Sequence, residues 1–144
     1  MLITNNLLSR EPVVADLAQF SRKGGNVIFS VIGLSPSLKS RGQLIEILRS
    51  VVDLTRPCPG CLGCWLSEED SLNNHVVYAE QWETEEALHD HIRSDLYLRL
   101  LSAVELSQSP PEVNFYYSTQ TKGLELVETV RRLCIISHER HPRP

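Results

Sequence analysis

Apolar positions change period several times along this 144-residue chain, and each change predicts an element. "NVIFSVIGLS" (26–35) is a near-continuous β-branched run, short enough for a buried strand. Next, Leu44, Ile45, Leu48, Val51 and Val52 recur on one face of a helix running to about residue 55. Ser40, with Gln43 three residues on, fits a capping box at its start. Pro57 and Pro59 stop the helix, and Gly60 permits a tight turn. "CLGCWL" (61–66) predicts a short strand, "SEEDSLNN" (67–74) a polar hairpin loop and "HVVYAEQW" (75–82) the returning strand. Alternation along that strand puts Val76, Tyr78, Glu80 and Trp82 on one face. Thr84 is placed to cap a short helix whose Glu85 and Glu86 suit the positive end of its dipole. Ser94 and Asp95 begin a second helix with an apolar stripe of Tyr97, Leu100, Leu101 and Val104. "SPPEVNFYYST" (109–119) reads as the last strand, its prolines confined to the entry. Residues 123–136 are amphipathic, and 137–144 predict a disordered tail.

The order β-α-β-β-α(α)-β is the split βαβ, ferredoxin-like pattern. It predicts an α+β domain over 25–120, one antiparallel sheet with helices on one face. Residues 1–24, ahead of the break at "SRKGG", form an arm or leader, and 121–144 a C-terminal helix and tail. Such a sheet leaves its other face bare. "VIFSVIGL" and "VNFYYS" place too much apolar surface there for a monomer, which predicts a homodimer.

Composition changes little in this picture. Apolar residues make up 42% and charged residues 22%, ordinary for one globular domain. A net charge of -4 without a basic stripe gives nucleic acid no electrostatic footprint. No apolar run approaches the roughly 18 residues that span a membrane, so no membrane partner is expected. The N-terminus lacks a basic start followed by an apolar core, so a cytoplasmic location is expected. There the four cysteines (58, 61, 64 and 134) are thiols or ligands before they are disulfides.

Three of those cysteines crowd into "RPCPGCLGCW" (56–65). A four-iron loop of the bacterial type would need another cysteine four residues after Cys64, where Glu68 stands. Zinc would need a second ligand pair at ligand spacing. Cys61 and Cys64, three apart in a strand, are expected on opposite faces. The reading that follows is a turn with small buried thiols, preferred over a redox pair, and no metal. No G-x-G-x-x-G follows a strand, so no flavin or nicotinamide cofactor is expected.

Pro59-Gly60-Cys61, Glu80-Gln81-Trp82 and the run His91 to Asp95, in this order and spacing, resemble the antibiotic biosynthesis monooxygenase family from residue 26 to about 119. The resemblance implies a dimeric α+β barrel in which two sheets face each other. It also implies, for some members, oxygenation of quinol-like or polycyclic aromatic substrates by dioxygen without any cofactor. In a related haem-degrading branch the functional positions are an Asn, a Trp and a His. Here Val31 or a neighbour, His91 and Leu101 occupy them, so haem degradation is not implied.

His91 shares a helix face with Ala87 and Leu88 and points inward, while His89 points away. An inward histidine is either a satisfied core residue or a base placed to take a phenolic proton. The family's pockets, between this helix and the sheet, keep both readings open. Tyr78 and Trp82 read either as cross-strand packing or as an aromatic wall for a flat substrate, with Glu80 as orienter or base. Asn114 and Tyr116 could bond a substrate carbonyl or an oxyanion, or simply face solvent or a partner. The function expected is a cofactor-independent monooxygenase with His91 and Glu80 catalytic and Trp82, Tyr78, Asn114 and Tyr116 binding substrate. An isomerase of a small oxygenated metabolite on the same barrel, or a non-catalytic metabolite-binding dimer, are the alternatives.

Overall fold

A computed structural model describes residues 26–69, 74–120 and 122–139, with side chains through residue 133. The expected arm at 1–24, the loop tip at 70–73 and the chain end from 140 lie outside the described residues. The elements are β1 (Val27–Leu34), α1 (Arg41–Thr55), β2 (Cys61–Glu68), β3 (Val76–Trp82), α2 (Glu85–Ile92), α3 (Asp95–Val104), β4 (Glu112–Ser118) and α4 (Leu124–Glu139). Residues 25–119 make one compact unit, and α4 belongs to a second. No described helix is long and apolar enough to cross a membrane.

All four strands run antiparallel in the order β2-β3-β1-β4, the ferredoxin-like arrangement that the sequence predicts. Register decides which side chains share a face, because residues directly opposite on paired strands point the same way. Ile28, Ser30, Ile32 and Leu34 pair with Trp82, Glu80, Tyr78 and Val76, and all eight are buried. The helices cover this face. Leu44, Leu48 and Val51 of α1 and Leu100 and Ala103 of α3 close over it at 0% exposure. Burying each Leu side chain is worth about 1.5–3 kcal/mol, so this layer dominates the stability of the unit.

Several local expectations are corrected. Ser40 has helical backbone angles (φ -94, ψ -10) and makes no side-chain cap bond, so there is no capping box with Gln43. A cap needs an extended backbone to aim its oxygen at the first free N–H groups. Ser40 Oγ instead meets Ser37 Oγ at 2.8 Å, and Ser37 Oγ accepts from the Ser40 N–H at 3.2 Å. The buried stripe of α3 is Tyr97, Leu100 and Ala103, whereas Leu101 is 42% exposed. The helix end faces the gap beside α1 only through the i, i+3, i+6 row, which leaves Leu101 outside. At the far end, α4 continues through Ser137, His138 and Glu139, where a disordered tail was expected. Its Leu124, Leu126, Val127, Val130 and Leu133 are exposed.

The correction with most consequence lies in β2. A β-bulge falls between Cys61 and Gly63, so Cys61 pairs with Trp82, Gly63 with Gln81 and Cys64 with Glu80. The extra residue, Leu62, shifts the alternation by one place. Cys61 and Cys64 therefore share the helix-covered face instead of lying on opposite ones. Gly63 suits the bulge because a Cβ there would lie 2.3 Å from the Trp65 ring, which folds back over it.

Candidate functional site

Glu80 sits in the middle of β3 with 0% exposure. A carboxylate taken that far from water is costly unless it is paired and its lone pairs are filled. The strand supplies two partners by its own period, because Tyr78 and Trp82 flank Glu80 on the same face. Tyr78 Oη donates to Glu80 Oε1 at 2.5 Å and Trp82 Nε1 donates to Oε2 at 2.9 Å. The third comes from α2, whose His91 Nε2 lies 2.8 Å from Oε1. With both other donors filled, His91 Nε2 is read as the N–H that completes the shell.

The chain extends one step further. Tyr78 has spent its only proton on Glu80, so Cys64 Sγ–H donates to Tyr78 Oη at 3.2 Å. Burial, and after it the nearby Glu80 charge, pushes the Tyr78 phenol far above its ordinary value. Burial also pushes the Cys64 thiol up to about 12. Both stay protonated donors under physiological conditions, which is what the network needs.

Local sequence rules put His91 in place. Thr84 accepts from the Ala87 N–H at 3.1 Å and starts α2 as the sequence predicts. Ser94 Oγ then donates to the His91 carbonyl at 2.6 Å while accepting from the Tyr97 N–H, which joins α2 to α3 through a tight corner. His91 ends up between two rings. Trp82 lies 4.7 Å away at a 31° tilt, and Tyr97 meets it edge-on at 5.4 Å. Ring packing and the Glu80 bond together lock the imidazole. Among the described residues its Nδ1 has no hydrogen-bond partner.

A cavity of about 480 Å³ opens beside this imidazole, within the range of small-molecule pockets. Cys58, Pro59 and Gly60 form one wall, and Trp82 and Thr84 form the end nearest β3. Ala87, Asp90 and His91 of α2, then Ser94 and Leu96, complete it. The lining is mainly apolar, and it carries carboxylate and imidazole but no Lys or Arg side chain. Gly60 holds its wall in a left-handed conformation (φ +80), and its added Cβ would stand 2.5 Å from Ala87 Cβ. Replacing Gly60 with Ala is expected to cost about 1–3 kcal/mol, since strain and clash act together. Urea unfolding would measure this; a midpoint matching the parent would show that the wall adjusts freely.

The six candidate residues thus fall into three groups. His91 and Trp82 line the cavity. Glu80 and Tyr78 stand behind them, fully buried and outside the lining, where Tyr78 supports the carboxylate instead of walling the pocket. Asn114 and Tyr116 pair with Val31 and Phe29, on the sheet face away from His91 and Glu80, so they do not join the cavity. Alternation along β4 shows that they share a face, but only its register with β1 shows which. Ala87, Asp90, Ser94 and Leu96 also line the cavity, although the sequence does not mark them as site residues. The i−4 and i+3 positions of Ala87 and Ser94 relative to His91 were the available signal. Among the described residues, no three His, Cys, Asp or Glu side chains come together to hold a metal ion.

Comparison with known proteins places this fold. The fold is similar to a Deinococcus radiodurans protein at 23% identity and a TM-score of 0.60, covering 67% of this chain and 96% of that one. It is similar to Rv0793 from Mycobacterium tuberculosis at 22% identity and a TM-score of 0.60, covering 67% and 99%. A conserved Methanosarcina mazei protein aligns at 21% identity and a TM-score of 0.59, covering 69% and 96%. Identities this low establish the fold alone. No curated protein matches the chain. The family model described as antibiotic biosynthesis monooxygenase matches residues 29–102, more than half of the chain, from β1 through most of α3. The match spans Cys58, Glu80, Trp82 and His91 alike, and the chain belongs to the antibiotic biosynthesis monooxygenase family.

Proposed function

We propose that this chain is a cofactor-independent monooxygenase that uses His91 Nδ1 to deprotonate a quinol-like or polycyclic phenol. One observation carries the reading. His91 Nε2 is committed to a buried carboxylate, so the imidazole is oriented and its other nitrogen is left unbonded on a residue that lines a cavity of about 480 Å³. A base held by a carboxylate is the arrangement that general-base catalysis uses to fix tautomer and direction. Proton transfer from the phenol to Nδ1 gives an electron-rich phenolate and an imidazolium facing Glu80. The phenolate passes one electron to dioxygen, and the radical pair closes to a carbon-bound peroxide anion. The His91 imidazolium returns its proton to give the hydroperoxide and restore the base. Loss of water leaves a carbonyl on the substrate, so one oxygen atom enters the product and the other leaves as water. Both reducing equivalents come from the substrate. Trp82 supplies a flat apolar wall, and a ring seated on the mainly apolar lining would displace water from beside the anion. The name of the family supports this reaction class.

The reading includes a homodimer in the cytoplasm. Its support is the edge strand β4, exposed on both sides, with Val113, Phe115 and Tyr117 on the helix side and Tyr116 on the other, all 39–56% exposed. Light scattering at micromolar concentration should give about twice the 16.3 kDa chain mass, and a mass near 16.3 kDa would refute the dimer. For the reaction, an oxygen electrode with 1,4-dihydroxynaphthalene or anthrone should record protein-dependent oxygen uptake that matches product formed. Rates equal to the buffer background with both compounds would remove the proposal.

A further inference from the structure

The mechanism leaves one pair of nucleophilic side chains unused. Cys58, Pro59, Gly60 and Cys61 form a single tight turn, closed by a hydrogen bond from the Cys61 N–H to the Cys58 carbonyl at 3.0 Å. Gly60 at φ +80 with a proline before it is the signature of a type II turn, whose first and last Cα atoms lie within about 7 Å. A disulfide requires Cα atoms about 4.4–6.8 Å apart, a span that a turn of this type allows. Both thiols pack against the same cluster of Ile28, Trp82 and Leu88. Both are half-buried. Cys58 Sγ donates to the Leu54 carbonyl at 3.3 Å and Cys61 Sγ to the Gly63 carbonyl at 3.5 Å, contacts the two thiols would give up on pairing. Cys64, by contrast, is fully buried and donates to Tyr78. The turn is also anchored at both ends. The Glu83 N–H donates to the Gly60 carbonyl at 2.8 Å, and α1 ends at Thr55 just ahead of it.

We propose that Cys58 and Cys61 form a reversible disulfide across this turn when the protein meets a peroxide, making one wall of the cavity redox-responsive. The Cys58 thiolate attacks one peroxide oxygen and the other leaves as hydroxide, giving a sulfenic acid at Cys58. The Cys61 sulfur then displaces that hydroxyl and the S–S bond closes. Two thiols and one hydrogen peroxide thus become one disulfide and two waters, with two electrons passing from sulfur to oxygen. Cys58 leads because it lines the cavity, where a small oxidant can reach it. Burial, with Glu80 adding to it, raises the Cys58 thiol above its ordinary value, and burial raises Cys61 to about 11. Thiolate is therefore scarce near neutrality, and closure accelerates as pH rises. Such slow, reversible closure suits a reducing compartment, where disulfides are transient. Neither thiol requires Glu80 or His91 to be catalytic, so the inference stands apart from the monooxygenase reading.

The test uses the reduced 144-residue chain and hydrogen peroxide. Intact mass should fall by two hydrogens, return with dithiothreitol, and be accompanied by loss of iodoacetamide labelling at both Cys58 and Cys61. Cys58→Ser should abolish the loss, whereas Cys64→Ser and Cys134→Ser should keep it. Cys58 is partly exposed, so its serine variant is expected to fold; its circular dichroism would verify this. Two results overturn the proposal: a gain of oxygen with no loss of hydrogen, or a two-hydrogen loss that persists in Cys58→Ser.

Discussion

Replacing His91 with alanine should lower kcat on 1,4-dihydroxynaphthalene by about 10²–10⁴-fold, the usual worth of a positioned base. The effect should fall on kcat far more than on KM, because the Trp82 wall and the apolar lining that bind the ring remain. The space vacated lies against the cavity and beside Trp82, so added imidazole should restore part of the rate. The variant should still fold, since alanine favours the helix and Glu80 keeps its bonds from Tyr78 and Trp82. A purely structural His91 forecasts the reverse, a lowered melting temperature with turnover per folded molecule unchanged. Measuring both quantities on one preparation separates the two.

Glu80→Ala should destabilise this unit by about 3–5 kcal/mol, read by urea unfolding. Removing the carboxylate strands three donors at once in a site with 0% exposure: the Tyr78 hydroxyl, the Trp82 indole N–H and the His91 ring N–H. Each unpaired buried donor costs about 1–3 kcal/mol, partly relieved if water enters. Glu80→Gln keeps the shape but turns one acceptor into a donor facing donors, so it should lose less than alanine and still unfold earlier than the parent. A double-mutant cycle with His91→Ala should show coupling above about 0.5 kcal/mol, as for residues in direct contact. If Glu80→Ala unfolds within about 0.5 kcal/mol of the parent, the network contributes little and Glu80 cannot be what holds His91.

Local chemistry was readable from the chain itself. The period-2 run at β3 placed Tyr78, Glu80 and Trp82 on one side, and the 3.6-residue period of α2 turned His91 inward and His89 out. Thr84 and Ser94 announced the two helix starts that carry the imidazole to the sheet. These features depend on residues within about one turn or one strand, where backbone geometry alone relates neighbours. Ser40 shows where that reasoning stops. Its sequence suits a cap, but a contact of its hydroxyl with the Leu106 carbonyl, 66 residues away, belongs to another arrangement.

What the sequence by itself determined is therefore the order of the elements, the shared face of Tyr78, Glu80 and Trp82, and the inward direction of His91. Tertiary pairing decided the rest. The bulge at Leu62 shifted Cys61 onto the face of Cys64, because which residue is skipped depends on how β2 seats against β3. The pairing of Phe29 with Tyr116 sent Asn114 and Tyr116 to the sheet face opposite His91. The meeting of His91 with Glu80 required α2 to cross the exact strand that carries the carboxylate. Face and register are relations between segments distant along the chain, and no periodicity within a segment encodes its alignment with another.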